Sequence, residues 1–507
     1  MRILLISIAA YKTARTAMLK TPASLSLLYL KILAKKQPGA FVEVREFFLE
    51  TSVENIIGSL DGLDHDLVGF SCYVWNMKKV LELSRYLKQR YPSLKILLGG
   101  PEAGPVAEKI LERNGHIDFV IRGEAEQTFV ELLDTLNRQG DLNEITGLSF
   151  RSDNGTIVNN PERPLMEDLS VIPSPYLDGS IDFSNNAYLT LETSRGCPMR
   201  CRFCQWSYKK MRYFPIGRVL KEIKILCSLP ELQSLYIVDS SIFYNRQRAL
   251  EILDAFSVPE RKFSVYFEID MNFIDEEIIE KLAKLQGCKF SFGLQTIDPE
   301  VSRLINHRID PDRFKNNLSL LRKKSPAARI SLDLIHGLPG DNLASYKKTL
   351  DFAMSLFPDS FYLYPFILLV GSEFYRRRDE FGLEFEDEPP RWVSSSNSFP
   401  GPDREEARKL SYYIQFFYNL PMARKAMDML WISANRLRPI GHVELYESLI
   451  VFLEEDRIDL MAAWEDVGAG GYERFHLVFK DNKEKENAFW GMFGEFIKKR
   501  SRELVSK

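Results

Sequence analysis

The sequence predicts an α/β protein with three parts: an N-terminal doubly wound, Rossmann-like domain, a central partial (β/α)6 barrel, and a mostly α-helical C-terminal region. Apolar strand-like runs alternate with amphipathic helical runs in the first 150 residues, and the alternation resumes between residues 188 and about 370. Beyond residue 385, apolar residues recur at helical spacing. A chain of 507 residues is also long enough for about three domains.

The composition is that of an ordinary globular enzyme. Apolar residues make up 45% of the chain and charged residues 27%, which is typical of a folded protein. The 67 basic and 70 acidic side chains give a formal net charge of −3, so there is no large basic field for a phosphate backbone. We therefore expect no nucleic-acid partner.

Two apolar runs bear on membrane association. The opening "MRILLISIAAY" is short and lacks a clear small-residue cleavage site, so it is predicted to be a buried strand instead of a signal peptide. The run "FYLYPFILLV" at 361–370 falls short of the roughly 20 residues that span a bilayer. Six cysteines in so long a chain do not form the framework of a small disulfide-rich domain. We expect a cytoplasmic protein that does not enter the membrane.

The first domain, residues 1–150, contains five strand-like runs, which are "RILLIS", "FVEVREFF", "LVGFSCY", "KILLGG" and "DFVIRG". Apolar strands bounded by helices indicate a parallel sheet covered on both faces. Three loops, at 69–76, 98–104 and 121–129, follow the carboxyl ends of strands. Ligands bind at that edge of such folds, and paired glycines let a bulky ligand approach the backbone. Plain tight turns are the alternative interpretation of each loop taken alone.

Three further segments complete the predicted organisation. Residues 151–185 are rich in proline and polar groups and are predicted to be an extended connector. Residues 186–385 contain the six strand–helix repeats of the barrel, whose active site is expected at the carboxyl ends of the strands. Residues 386–507 form the helical C-terminal region. No internal repeat or low-complexity tract interrupts this order.

Three cysteines follow the first barrel strand. Cys197, Cys201 and Cys204 have the spacing C-x3-C-x2-C, which is one ligand too few for a closed structural zinc site. Three thiolates can instead hold three irons of a 4Fe-4S cluster and leave the fourth iron open to a ligand. The other cysteines, at 72, 227 and 288, lie in apolar runs and are expected to be buried small hydrophobic residues.

With Phe203 before the last cysteine, this motif resembles the radical S-adenosylmethionine (SAM) superfamily. The resemblance implies that the open iron chelates SAM and that the reduced cluster cleaves it to a 5'-deoxyadenosyl radical. Segments "VDSSIFYN" at 238–245, "FGLQT" at 292–296 and "DLIHGLPG" at 333–340 resemble the second, fourth and fifth strand regions of that family. The residues it implies at the SAM site are Phe203, Asp239, Gln295, Gly337, Leu338, Pro339 and Gly340. Asp239 and His336 have an alternative interpretation as structural groups that anchor loops.

The α/β domain before such a barrel resembles the cobalamin-binding class of radical SAM enzymes. The chain has "DHDLVG" at 64–69 but not D-x-H-x-x-G, so His65 is a poor candidate for a cobalt ligand. The resemblance then implies a cobalamin held without a histidine. The side chains expected to face the corrin are Ser71, Tyr73, Trp75 and Asn76, and those expected to line the nucleotide tail are Gly99, Gly100, Pro101, Gly123 and Glu124.

The resemblance implies an enzyme with a 4Fe-4S cluster, SAM and cobalamin as cofactors. Its expected activity is transfer of a methyl group from SAM, by way of methylcobalamin, to an unactivated carbon of a small molecule or natural product. A flavodoxin- or ferredoxin-type electron donor is the expected partner. Radical rearrangement or cyclisation without methyl transfer is the alternative, and a non-catalytic cobalamin or iron-sulfur binding module is a second one. The residues identify no catalytic side chain.

Overall fold

The computed structural model describes residues 1–9, 24–179, 181–184, 186–206, 209–437, 439–455 and 483–505. The chain divides into two compact units. Unit 1 comprises Met1–Tyr266, Ile367–Arg378 and Glu386–Arg391. Unit 2 comprises Phe267–Phe366, Asp379–Phe385 and Trp392–Lys507. The N-terminal domain and the cysteine motif therefore belong to the same unit.

Unit 1 begins with a seven-stranded sheet in the order β2-β1-β3-β4-β5-β6-β7. Its elements are β1 (Arg2–Ala9), α1 (Leu25–Ala34), β2 (Phe41–Phe48), α2 (Val53–Ser59), β3 (Leu67–Ser71), α3 (Met77–Arg90), β4 (Lys95–Gly99), α4 (Ala107–Arg113), β5 (Phe119–Ile121), α5 (Ala125–Arg138), β6 (Leu148–Arg151) and β7 (Ile157–Asn159). The first five strands are parallel, and β6 and β7 add an antiparallel edge. The strand order reverses between β1 and β3, which is where doubly wound sheets bind ligands.

Both faces of this sheet are covered, as the continuous apolar strands predict. Alternate residues of β1 enter two different cores, because successive side chains of a strand point to opposite faces. Leu4, Ile6 and Ile8 join the core beneath α2, α3 and α4. Ile3 and Leu5 join the core beneath α1 and α5.

The rest of unit 1 contains the first strands of the barrel and the cysteine motif. This region of the chain contains β8 (Tyr188–Leu191), β9 (Ser194–Cys197), β10 (Lys209–Tyr213), α6 (Ile216–Cys227), β11 (Ser234–Ile237), α7 (Arg246–Phe256) and β12 (Ser264–Ile269). Strand β11 pairs in parallel with β8 and with the first residues of β12. The antiparallel hairpin of β9 and β10 is inserted after β8 and places Cys197 at the end of its first strand.

Unit 2 contains the later barrel strands, of which β13, β14 and β15 form a parallel ladder. The elements that follow β12 are α8 (Glu276–Lys284), β13 (Lys289–Gln295), α9 (Pro299–Leu304), α10 (Pro311–Lys324), β14 (Arg329–His336), α11 (Leu343–Ser355) and β15 (Ser360–Pro365). Polar side chains of β14 such as Asp333 alternate with apolar ones that are fully buried, such as Leu332 and Leu334. Alternation of this kind gives one polar face and one apolar face to the sheet.

The C-terminal part of the chain is mainly helical. It follows α12 (Glu373–Arg376) of unit 1 and contains β16 (Glu384–Phe385), β17 (Val393–Ser395), α13 (Gly401–Tyr418), α14 (Pro421–Leu437), α15 (His442–Glu455) and α16 (Lys483–Val505). Tyr412, Tyr413 and Tyr446 of these helices are buried. They pack as core residues, which is the usual fate of aromatic side chains at helical spacing.

The predicted fold class is confirmed, with an α/β N-terminal domain, a barrel region and a helical C-terminal region. The segment 151–185, predicted to be an extended connector, begins with a strand of the N-terminal sheet. Strand β7 lies within that segment, pairs with β6, and so extends the N-terminal sheet to Asn159. The turn "SDNG" at 152–155 makes this hairpin, and its short strands carry little apolar pattern. Among the described residues, no helix has the length and apolarity needed to cross a bilayer.

Candidate active site

The cysteine motif occupies a tight loop after β9. Cys197 and Cys201 are buried and Cys204 is half-buried, as is Phe203. The backbone N–H of Cys204 donates to the carbonyl of Cys201 at 3.1 Å, and the N–H of Trp206 lies 3.4 Å from the Cys204 sulfur. Backbone N–H groups directed at sulfur are typical of iron-sulfur sites, whose potential they tune. Within the described residues, no three His, Cys, Asp or Glu side chains are already assembled at metal-ligand distance.

Asp239, which follows β11, holds the start of the cysteine hairpin. Its carboxylate accepts from the backbone N–H of Thr193 at 2.7 Å, from the Thr193 hydroxyl at 2.6 Å, and from the Ser194 hydroxyl. Burial raises the pKa of Asp239, and these three donors lower it. The structure therefore gives Asp239 a set of contacts that fixes the backbone leading into Cys197.

Two arginines join the cysteine hairpin to the N-terminal domain. Arg195 of β9 contacts Glu126 at the start of α5 at 2.6 Å. Arg212 of β10 donates to both carboxylate oxygens of Glu124, at 2.8 and 2.7 Å. Burial raises the pKa of Glu192 to about 7, although Arg195 beside it acts in the opposite direction. Glu124, expected at the nucleotide tail, thus has its carboxylate paired with the cysteine hairpin.

The glycine pair after β4 comes very close to the end of β3. Gly100 has φ +104°, and a Cβ there would lie 2.6 Å from the carbonyl oxygen of Cys72. Only glycine fits this position without strain. Gly99 is different, since a Cβ there would meet no atom of the described residues within 4 Å. Gly123, at φ +75°, also has open space around it. The strand ends therefore have room for a ligand next to bare backbone.

The loop after β3 presents an aromatic pair to the same edge. The rings of Tyr73 and Trp75 stack with centroids 4.4 Å apart and planes 10° apart. Asn76 is fully buried and donates to the carbonyls of Ile8 and Ser71 at 3.1 and 3.0 Å. It also accepts from the N–H of Tyr73 at 2.8 Å. Asn76 thus holds the loop, in which Tyr73 is half-buried and Trp75 is 42% exposed.

Three segments of unit 1 meet at Gln205, directly after the third cysteine. With its amide nitrogen turned toward them, Gln205 lies 3.1 Å from the carbonyl of Val370 and 3.3 Å from that of Pro101. A Cβ at Gly371 would lie 3.2 Å from Pro105. The loop after β4, the cysteine loop and the segment after β15 are therefore packed together.

A buried ion pair strengthens this junction. Arg391 contacts Glu102 of the loop after β4, and both side chains are almost completely buried. The carbonyl of Arg391 accepts from the N–H of Leu368 at 3.1 Å. Sequence reasoning missed this pair because 289 positions separate the two residues.

Unit 2 contains the other residues expected at SAM. Gln295 ends β13 at φ +57°, next to an irregularity in the β13–β14 pairing, and its buried Oε1 has no hydrogen-bond partner in the described part of the chain. Backbone strain and bulges of this kind concentrate at functional sites. An unpaired buried amide oxygen is unfavourable unless a ligand donates to it. This feature supports Gln295 as a ligand-binding residue.

The loop after β14 is held by the C-terminal region of unit 2. Arg404 donates to the carbonyl of Gly337, and Ser398 accepts from the N–H of Gly340 at 2.7 Å. Leu338 and Pro339 between them are buried. The described contacts therefore already occupy two of the polar backbone groups of this loop, at Gly337 and Gly340.

Two buried titratable groups lie on β14. Burial raises the pKa of Asp333 well above its usual range, nearby Glu268 raises it further, and the Ser291 hydroxyl lowers it. Its Oδ1 is buried without a hydrogen-bond partner. Burial, followed by Arg404 and Arg408, lowers the pKa of His336 to about 3. His336 is thus a neutral, buried imidazole near neutral pH.

His65 and the three cysteines outside the motif lie away from the candidate site or in the core. His65 precedes β3 and lies 3.6 Å from Glu43, at the end of the strand opposite to Ser71, so it cannot reach a ligand at the carboxyl edge. Cys72, Cys227 and Cys288 are all buried. The prediction that they are small core residues is confirmed.

Comparison with known proteins agrees with this architecture. The family model of the radical SAM superfamily matches residues 191–353, and that of the B12 binding domain matches residues 16–133. An uncharacterized methyltransferase of Pyrococcus horikoshii is 26% identical over 364 residues, which are 70% of this chain and 78% of that protein. The cobalamin-dependent radical SAM methyltransferase TokK of Streptomyces tokunonensis is 28% identical over 312 residues, which are 57% of this chain but 44% of TokK.

A solved structure shows the same fold. The cobalamin-dependent SAM radical enzyme OxsB, with aqua-cobalamin and SAM bound, superposes with a TM-score of 0.67 at 16% identity, covering 100% of this chain and 80% of OxsB. Another relative is named as a cyclase and not as a methyltransferase. The anaerobic magnesium-protoporphyrin IX monomethyl ester cyclase of Rubrivivax gelatinosus is 21% identical over 388 residues, which are 73% of this chain and 69% of the cyclase.

The chain thus combines a radical SAM region with a B12-binding region, the two parts found in cobalamin-dependent radical SAM enzymes. Its cofactors are accordingly a 4Fe-4S cluster, SAM and cobalamin, as predicted. The residues present fit these groups. Three cysteines outside any disulfide follow the first barrel strand, and among the described residues an amide oxygen of Gln295 lacks a donor and a Cβ at Gly99 would meet no atom within 4 Å.

Proposed function

We propose that the protein is a methyltransferase that moves a methyl group from SAM, by way of cobalamin, to an unactivated carbon of a small molecule or natural product. When bound, cobalamin supplies the methyl carrier, and the cluster with SAM supplies the radical that activates the substrate carbon. The observation that carries the proposal is the junction at Gln205, which packs the cysteine loop against the loop after β4. Both relatives named as methyltransferases support it.

The chain's own residues would hold the cofactors. Cys197, Cys201 and Cys204 ligate the cluster, and Asp239 positions them through Thr193 and Ser194. Gln295 and the Gly337–Gly340 loop bind SAM. A flavodoxin- or ferredoxin-type protein supplies the electron.

The cobalamin residues of the proposal lie around the β1/β3 switch point of the N-terminal sheet. Ser71, Tyr73 and Trp75 would hold the corrin without a histidine, and Gly99 would border the nucleotide tail. Gly100 keeps the loop after β4 against Cys72. Asn76 and Glu124 position this loop and the cysteine hairpin through the contacts described above.

The experiment is an anaerobic reconstitution with iron, sulfide, cobalamin, reductant and methyl-deuterated SAM, followed by mass spectrometry. A methyltransferase should produce S-adenosylhomocysteine and 5'-deoxyadenosine, with the deuterated methyl group on cobalamin. Replacing Cys197, Cys201 and Cys204 together by alanine should abolish 5'-deoxyadenosine and leave cobalamin binding intact. Cys227→Ala, a buried cysteine outside the motif, is the matched control and should retain the cluster.

The outcome also decides between methyl transfer and the alternatives. Formation of 5'-deoxyadenosine without labelled methyl on cobalamin would favour rearrangement or cyclisation, the activity suggested by the cyclase relative. Four irons per chain in the triple cysteine variant would contradict the cluster assignment. Neither nucleoside product, with cluster and cobalamin both bound, would favour a binding module.

A further inference from the structure

A row of small and polar residues crosses the carboxyl edge of the N-terminal sheet. Ser7 of β1 is in register with Glu46 of β2 and with Ser71 of β3, and Ser71 is in register with Gly99 of β4. Residues in register on parallel strands share a face. The row therefore follows Leu5 and the other apolar residues that pack beneath α1 and α5.

This row marks where the apolar core stops. Ser7 and Ser71 are buried, and the missing side chain of Gly99 leaves open space. The β1/β3 switch point, where such sheets bind ligands, lies in the middle of the row. The four positions therefore share one face at the carboxyl edge, on the α1 and α5 side of the sheet.

Glu46 is the unusual member of the row. Its Oε2 is buried and has no hydrogen-bond partner among the described residues. Burial raises the pKa of Glu46 to about 8, and a hydrogen bond with Ser7 lowers it; no charged side chain is among the causes. The titratable neighbour is Tyr73, whose pKa is raised mainly by burial, so it too is neutral near pH 8. A neutral carboxylic acid has an O–H that needs an acceptor.

We infer that Glu46 recognises cobalamin by donating a hydrogen bond, as a carboxylic acid, to an acceptor on the nucleotide tail of the cofactor. The tail carries acceptors of the required kind in its base nitrogen and its phosphate and ribose oxygens. That the tail lies beside Gly99 rests on the proposed function, whereas the buried Oε2 of Glu46 without a described partner and the in-register row are properties of this chain. No sequence pattern marks Glu46, because its partners come from neighbouring strands.

The test compares cobalamin with cobinamide, which has the corrin ring but no nucleotide tail. Binding to the full-length protein is measured by absorbance titration under anaerobic conditions. Glu46→Ala should weaken cobalamin binding about tenfold, the usual effect of leaving one buried acceptor unpaired, and should leave cobinamide binding unchanged. Glu43→Gln is the control, since Glu43 lies on the other face of β2 and contacts Arg45 and His65.

A second variant keeps the inference testable if Glu46→Ala does not fold. Glu46→Gln retains a donor but cannot titrate. Wild-type affinity for cobalamin should fall as the pH rises past about 8, because the acid loses its proton, and the affinity of Glu46→Gln should stay constant.

Several outcomes would overturn the inference. Equal pH dependence in wild type and Glu46→Gln would do so, as would unchanged cobalamin affinity in Glu46→Ala. Equal loss of cobinamide binding would place the contact on the corrin and refute the assignment to the tail. Failure of the wild-type protein to bind cobalamin at all would instead refute the proposed function, so the two failures are distinguishable.

Discussion

A substitution of Asp239 tests whether its buried carboxylate contacts SAM or positions the three thiols. We consider Asp239→Asn, which keeps the shape of the side chain and removes its charge. One amide oxygen remains as an acceptor; placed where Oδ2 was, it keeps both hydroxyls of Thr193 and Ser194 as neutral hydrogen bonds, whereas the Thr193 N–H loses its acceptor. A hydrogen bond to a charged group contributes about 1.5 kcal/mol or more, and each of the two bonds that become neutral weakens by about 0.7 kcal/mol, so the loss is about 3 kcal/mol.

The lower cost of burying a neutral amide offsets part of that loss. Burial raises the pKa of Asp239, which shows that ionising it in place is unfavourable, and we take the net penalty on the loop as about 2 kcal/mol. Since 1.36 kcal/mol corresponds to tenfold, that penalty is roughly 30-fold in the population of the ordered loop. Iron should therefore leave the reconstituted cluster roughly 30 times faster in the presence of a chelator.

The assay follows cluster absorbance during chelation and, separately, SAM affinity. Asp168→Asn is the control, because the exposed carboxylate of Asp168 caps a turn at Ser170 far along the chain from the motif. An unchanged rate of iron loss combined with weaker SAM binding would refute the positioning argument. It would show instead that Asp239 contacts SAM, the other expectation from the sequence.

The remaining predictions concern a buried histidine and a strained glycine. Because the pKa of His336 is lowered to about 3, the unfolded chain binds a proton below pH 6.5 that the folded protein does not. From this group alone, the free energy of unfolding should fall by about 1.4 kcal/mol for each pH unit of acidification. In His336→Gln, the urea midpoint should therefore depend less on pH between 6.5 and 4. Gly100→Ala, which drives a Cβ to 2.6 Å from the carbonyl oxygen of Cys72 at φ +104°, should cost about 2 kcal/mol or more in thermal unfolding.

Each of these changes has a matched control. Because burial lowers the pKa of His442 to about 4, His442→Gln should match His336→Gln down to about pH 4 and have the smaller effect only below it. Gly99→Ala should leave the unfolding temperature without ligand unchanged, since its Cβ would meet nothing within 4 Å, but should weaken cobalamin binding. Equal acid dependence in wild type and His336→Gln, or equal stability of Gly100→Ala and wild type, would contradict the respective argument.

The sequence was informative where chemistry depends on local spacing. Three cysteines within eight positions singled out the loop proposed to bind the cluster, and paired glycines singled out the loop after β4. Apolar periodicity was sufficient for the fold class, because the parallel sheets are covered on both faces. The hairpin that extends the N-terminal sheet to Asn159 was missed, since its strands are short and only partly buried.

Residues whose importance depends on distant partners were not predictable. Glu46 and Ser7 are neighbours only through the register of β1 and β2, which a single sequence does not determine. Arg212 and Glu124 lie 88 positions apart, and neither has a local motif. Glu124 was therefore expected at the nucleotide tail on the basis of its loop alone.

The arginine contacts explain why the cysteine hairpin and the N-terminal domain belong to one unit. Arg195 is held between Glu126 and Glu192, and its guanidinium also lies over the rings of Tyr29 and Phe214 at 5.7 Å. Buried ion pairs contribute little net stability but are costly to break singly, so they favour one geometry over others. A methyl carrier and a radical source must reach one substrate carbon, and effective catalysis depends on fixing such distances. These ion pairs fix the hairpin that carries Cys197 against the domain that carries Gly99 and Ser71, which is the geometric requirement that methyl transfer imposes.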